Sequence, residues 1–110
     1  MAEADLKYVM DTSALRQGSA TSIQIEDRWF VVCNDRGQFY VADNVCPHAG
    51  GSLGKGTVKD SCVVCPVHRW PWNLRTGLTG SGLHHIRLKR YQCEIRAGKV
   101  YADISKPIWP

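Results

Sequence analysis

Short stretches in which apolar, aromatic and β-branched residues alternate with polar ones recur along this chain, over 7–10, 21–25, 29–33, 38–43, 57–58, 62–65, 91–96 and 99–104. A period of two predicts short strands with one face buried. Turn-forming residues separate them, at Glu26-Asp27, Asn34 to Gly37, Ala49 to Gly51, Lys59 to Ser61, Arg75 to Gly77 and Ala97-Gly98. The spacing predicts an all-β fold, an antiparallel sandwich or barrel. Only 11–17 could wind into a helical turn, too short to stand alone in water. Trp29, Cys33 and Cys93 read as core positions, and Trp109 as part of the tail.

Two segments break the strand pattern. Residues 44–56 combine Pro47 with four glycines, and the stretch from about 65 to 77, continuing toward 85, holds Pro66, Pro71 and Gly77. These are expected to be ordered loops carrying the function. With 110 residues, one domain spanning 1–110 is expected.

Composition narrows the setting. No apolar run approaches the roughly 18 to 20 residues that span a bilayer. The start, Met1-Ala2-Glu3-Ala4-Asp5, is acidic and unlike a secretory signal. A cytoplasmic protein with no membrane contact is expected. Its five cysteines, an odd count, favour metal binding or burial over a disulfide framework. The net charge of +4 is uneven: residues 1–60 hold six basic and eight acidic side chains, residues 61–110 eight and two. The basic second half reads as solvated positions or as a docking surface for an acidic protein. Nucleic acid is not an expected partner, because no aromatic array of a nucleic-acid module accompanies the charge.

The chemistry lies in Cys46-Pro47-His48 and Cys65-Pro66-Val67-His68. A thiolate and an imidazole one or two residues apart can both reach a metal from a tight turn. Two Cys and two His could make a tetrahedral zinc site, with Cys62 as a fifth candidate. If 62–65 is a strand, however, Cys62 and Cys65 face opposite sides and only one points at the loops. The same argument opposes a thioredoxin-type pair, which must open a helix. A second alternative beside zinc is a Rieske [2Fe-2S] centre, two thiolates on one iron and two imidazoles on the other.

Residues 44–53, Asn-Val-Cys-Pro-His-Ala-Gly-Gly-Ser-Leu, followed by 63–77, Val-Val-Cys-Pro-Val-His-Arg-Trp-Pro-Trp-Asn-Leu-Arg-Thr-Gly, strongly resemble the Rieske ferredoxins. The resemblance implies a Rieske-like β-sandwich or barrel with a two-loop cluster-binding subdomain. It makes Cys46 and Cys65 the ligands of an inner iron and His48 and His68 those of an outer, more exposed iron. With two ferric ions, two sulfides, two thiolates and two neutral imidazoles, the oxidised cluster sums to zero. It therefore accepts an electron more readily than the four-thiolate clusters near about −400 mV.

Departures from relatives tune this expectation. In respiratory-complex relatives each loop holds a further cysteine, bonded to the other, and a Ser and a Tyr hydrogen-bond the cluster. Here those positions read Gly51, Val67, Trp70 and Trp72. Without the bridge or hydroxyl donors, a potential toward the low end of about −150 to +300 mV is expected. Trp70 and Trp72 read as packing groups, and His84-His85 as solvated. Arg69 beside His68 replaces a small residue found in many relatives; its charge is expected to favour the reduced cluster and docking to an acidic partner.

The resemblance implies an electron carrier, not an enzyme on its own. It would be a monomer taking electrons from a flavin-dependent NAD(P)H reductase and passing them to a terminal oxygenase. No Gly-x-Gly-x-x-Gly dinucleotide motif is present to receive them directly. The alternative is the Rieske-like small subunit of an assimilatory nitrite reductase, bound to a large subunit. A zinc-stabilised interaction domain is the alternative from another class.

Overall fold

Four two-residue turns set the path of the chain. Glu26-Asp27, Arg36-Gly37, Asp60-Ser61 and Ala97-Gly98 all have positive φ, the backbone of the type I′ turns that match the twist of an antiparallel hairpin. They join β2 (Ala20–Ile25) to β3 (Arg28–Asp35), β3 to β4 (Gln38–Asp43), β5 (Thr57–Lys59) to β6 (Cys62–Val64), and β8 (Arg90–Arg96) to β9 (Lys99–Asp103). The remaining strands are β1 (Lys7–Asp11) and β7 (Pro71–Asn73). This computed structural model describes residues 5–48, 50–79 and 86–108.

Every strand pairing is antiparallel. One sheet has six strands in the order β1-β9-β8-β4-β3-β2, the other three in the order β5-β6-β7. The all-β expectation therefore holds. Helical structure among the described residues is limited to 3₁₀ conformation, at Asp5, at Thr12–Ala14 within the expected helical stretch and at Leu53–Lys55 in the first loop. The sequence pattern misses β7, because a three-residue strand containing Pro71 carries no periodicity. Its one ladder among the described residues is with β6, Trp72 adding a single bridge to Thr79, and proline at the start of such a strand costs no ladder bond.

β3 organises the interior because it is buried on both faces. Phe30, Val32 and Val41 join Val9, Tyr91, Val100 and Ala102 in a core inside the six-stranded sheet. Val31, Cys33 and Ala42 turn the other way and pack with Leu53, Val63, Trp72, Leu74 and Leu88 in a second core beneath the small sheet. The unbroken run Phe30-Val31-Val32-Cys33 thus reads as a strand covered from both sides. Arg28 closes the first core at the narrow β4–β8 pairing. Its guanidinium lies 4.8 Å from the Phe30 ring centre and donates to the Ile104 carbonyl at 2.7 Å and the Tyr91 hydroxyl at 2.9 Å.

Cys33 is buried as expected, and burial, with Asp35 nearby, pushes its thiol up to about 12. Cys93 is only partly buried against the first core. Trp29 departs from expectation, being 53% exposed. It lies at the start of β3, where it lines a shallow cleft with Ser22, Asn44, Ser52 and Lys55 beside the first loop and enters neither core. Trp109, His84 and His85 lie outside the described residues.

Candidate metal centre

The two loops rise from the small sheet and the ends of β4 and β6. Asn44, immediately after β4, anchors the first. Its Oδ1 accepts hydrogen bonds from the Ser22 hydroxyl and the Gly54 amide, both at 2.9 Å, and its Nδ2 donates to the Ser52 hydroxyl at 3.0 Å. Its carbonyl accepts the Leu53 amide at 2.8 Å. Nearly every polar group of one small side chain therefore fixes the loop to β2. Gly54 is required by this close approach, since a Cβ there would lie 1.9 Å from Ser22 Oγ and 2.5 Å from its backbone nitrogen.

Within this frame Cys46 begins a tight turn, its amide donating to the Gly51 carbonyl at 2.8 Å and its carbonyl accepting the Gly50 amide at 2.9 Å. In the second loop the Cys65 amide donates to the Trp70 carbonyl at 2.9 Å, closing a turn over residues 66–69. Asn73 Oδ1 accepts the Arg75 and Thr76 amides at 2.8 and 3.1 Å and shapes the loop's exit. His68 and Arg69 hold left-handed backbone conformations, φ 65° and 56°. For residues with a Cβ these cost on the order of 1 kcal/mol each. Such strain is kept where the structure over-determines a functional turn.

The four expected residues separate by depth. Cys46 and Cys65 are buried, 1% and 0% exposed, with their thiols in hydrogen-bonding contact. Burial raises the Cys65 thiol above its ordinary value; the backbone amide of Val67 opposes this, and the neighbouring Cys46 adds to it. His48 and His68 are exposed at the loop tips, ring centres 6.0 Å apart and planes inclined by 60°. Cys62 lies on β6, opposite Lys59 and Asn73 on the neighbouring strands, while Cys65 falls just beyond the strand's end.

Two tryptophans hold this arrangement. Trp70 lies flat on the His48 ring, centres 3.6 Å apart and planes within 6°, and so fixes the orientation of that imidazole. Trp72 is fully buried and its indole Nε1 donates to Cys46 Sγ at 3.3 Å. The sequence reading gave both only a packing role. The loss of hydroxyl donors at these positions is real, but an indole N–H reaches the sulfur instead. The clue was available, because a buried tryptophan needs an acceptor. Gly51 and Val67 also meet: a Cβ at residue 51 would lie 3.5 Å from Val67 Cβ and 3.2 Å from Cys65 Sγ.

This donor set suits a two-metal group. A single zinc ion requires three or four converging ligands. Among the described residues no three Cys, His, Asp or Glu side chains converge in that way. A buried pair of soft thiols and a separate exposed pair of imidazoles instead match the divided ligation of a Rieske [2Fe-2S] cluster.

Comparison with known proteins agrees. The family model for the Rieske [2Fe-2S] domain matches residues 5–92. The chain is 33% identical over 69 residues to ferredoxin CarAc of Metapseudomonas resinovorans, covering 63% of this chain and 64% of that protein. It is also 33% identical over 72 residues to the cholesterol 7-desaturase nvd of Drosophila melanogaster. This chain spans only 17% of that enzyme, so neither relative is covered to two thirds of its length. A chain in a complex of reduced oxygenase and oxidised ferredoxin from carbazole 1,9a-dioxygenase superposes with a TM-score of 0.82 at 25% identity, covering 94% of this chain and 97% of its own. A putative NADH-dependent nitrite reductase small subunit from Mycobacterium tuberculosis shares the fold, with a TM-score of 0.78 at 17% identity over 88% of this chain and 92% of its own. Sequence motif, fold and divided donor set converge: the chain belongs to the Rieske [2Fe-2S] domain family, whose cofactor is a Rieske-type [2Fe-2S] cluster.

Proposed function

We propose that Cys46 and Cys65 hold the inner iron of the cluster, that His48 and His68 hold the outer one, and that the chain shuttles single electrons between separate proteins. The observation that carries this reading is the difference in depth between the thiol pair and the imidazole pair. When bound, such a cluster supplies one reversible electron at nearly constant geometry. The chain's own residues do the rest. Leu53, Trp72 and Leu74 keep water from the thiol side. Trp72 Nε1 and the Val67 amide donate to the two sulfurs and favour their more negative state. Trp70 holds the His48 ring so that the imidazole edge faces a partner.

Around that edge the surface is apolar, with Val45 59% and Val67 39% exposed and Pro47 and Pro66 beside them. Such a tip fits transient docking. The proposed donor is a flavin-dependent NAD(P)H reductase and the proposed acceptor a terminal oxygenase; the likeness to the carbazole dioxygenase ferredoxin supports the second. In this reading the chain is a carrier, and the catalysis belongs to the acceptor. The nitrite reductase alternative has a likeness of fold behind it. Stable co-purification with a large sirohaem protein, in place of a monomer that exchanges electrons alone, would select it.

The test is visible absorption and low-temperature electron paramagnetic resonance of anaerobically purified protein before and after dithionite. A red-brown protein giving a rhombic signal with the low average g of nitrogen-ligated clusters is expected. A colourless protein with stoichiometric zinc would overturn the reading.

A further inference from the structure

Beside the histidine tip the surface opens into a cleft of about 440 Å³ whose cationic walls come from different parts of the chain. Lys55 ends the first loop's 3₁₀ turn, Lys59 ends β5, and Arg69 lies in the second loop next to His68. Cys65 and Pro66 are among its other lining residues. All three cations are exposed, and no carboxylate lines the cleft. None of the three takes part in any ion pair formed among the described residues. Other cations are engaged, Lys7 with Glu26, Lys99 with Asp11 and Arg96 with Glu94, and Arg90 is buried, whereas Arg16, Arg75, Lys89 and Lys106 are exposed but do not line this cleft. Local positive charge at the site comes from two first-half lysines and one second-half arginine.

Arg69 adds a second, independent observation. It occupies a left-handed backbone position, φ 56°, where glycine would sit without strain. An arginine there has the backbone cost of a glycine site without the glycine. A fixed cation facing a cleft beside the electron-exit edge accounts for its presence.

We infer that this cleft is the seat for an acidic segment of the redox partner, a loop or tail rich in Asp and Glu that docks against Lys55, Lys59 and Arg69. The inference rests on the electron-carrier reading and adds the chemistry of the partner surface. Charge complementarity of this kind speeds encounter and sets orientation. Seating the acidic segment over Cys65 would bring the partner's own redox group against the exposed imidazoles.

The experiment uses the purified holoprotein and a fluorescein-labelled oligoglutamate peptide, followed by fluorescence anisotropy at low ionic strength. Wild type is expected to bind and to release the peptide as salt is raised. Lys55→Gln with Lys59→Gln should weaken binding by about tenfold, or about 1.4 kcal/mol. Arg96→Gln with Lys99→Gln, which changes net charge equally, should leave it nearly unchanged. Arg69→Gly should also weaken binding while relieving the backbone, so its loss cannot be assigned to a strained fold. Equal weakening by both double variants would overturn the cleft in favour of overall charge. So would no binding by wild type, or a single-stranded oligonucleotide binding through the same residues where the peptide does not. Absorbance of the same samples reports the cluster separately, so a failed cleft and a failed electron-carrier reading give different results.

Discussion

The six-stranded sheet and the three-stranded unit that carries the loops are stabilised in different ways. The first has a conventional interior of Val9, Phe30, Val32, Val41, Tyr91 and Val100, closed by the Arg28 contacts with Phe30, Tyr91 and Ile104. The second has strands of only three residues and depends on what it borrows: one face of β3, the Asn44 hydrogen bonds, and the metal its own side chains would hold. Small sites of this kind fold and bind metal in one equilibrium. The sheet should survive loss of the cluster, whereas the loops should not.

The largest expected effect tests that contrast. Cys65→Ser or His68→Ala should abolish the red-brown colour and release the loops, seen as fast amide exchange over 44–56 and 65–77, while β2, β3 and β4 stay protected. Global unfolding instead would show that the two regions are one cooperative unit. Gly54→Ala attacks the join between them. The added methyl would meet the Ser22 backbone at 2.5 Å, and denaturant melts should show a loss of about 3 kcal/mol, the upper end for overpacking.

A disulfide could replace the metal's cross-link. Gly51→Cys with Val67→Cys places Cβ atoms at a separation near 3.5 Å, within the usual disulfide range, and should stabilise the cluster-free protein by about 2–3 kcal/mol. Its effect on the holoprotein should be smaller, because the cluster already joins those loops. In the larger sheet, Cys93 gives a pH handle. Burial raises its thiol to about 11 from 9.0. A thiol whose folded value is raised stabilises below its unfolded value and loses that contribution as pH rises from about 9 through 11. Cys93→Val should flatten the alkaline fall in stability by about 1 kcal/mol near pH 10, read from melts across pH. The smallest effect concerns the sulfur: Trp72→Phe removes the donor to Cys46 while keeping the ring. It should lower the potential by tens of millivolts in protein-film voltammetry, a fraction of the roughly 1.5–3 kcal/mol of a hydrogen bond to a charged group. No shift would reduce Trp72 to packing.

These two regions were not equally legible. Strands β1 to β6, β8 and β9 and the turns between them follow from alternation and from Gly, Asp and Asn, because local backbone preferences and one-sided burial act over few residues, whereas β7 does not. Cys46, His48, Cys65 and His68 stood out as candidate ligands because thiol and imidazole chemistry is local to two short motifs. Trp29 was misread because hydrophobicity does not say where a strand outruns its cover. The Trp72 bond to Cys46 and the Lys55, Lys59 and Arg69 cleft depend on how distant segments meet, which no local pattern encodes. Asn44 was a similar case: it opened a segment expected to be a loop, and only the fold showed that it joins β2 to that loop.

The two-sided burial of β3 also makes it the ruler of the molecule. Phe30 and Val32 serve one interior, Val31 and Cys33 the other, and side chains swap faces with every residue. Inserting or deleting one residue at the start of this strand would exchange both sets at once, pushing the Phe30 ring under the metal loops and withdrawing it from Arg28 and Tyr91. Substitutions along β3 can be absorbed one interior at a time, but its length cannot drift. Homologous chains should therefore vary in the side chains of this segment far more readily than in its spacing.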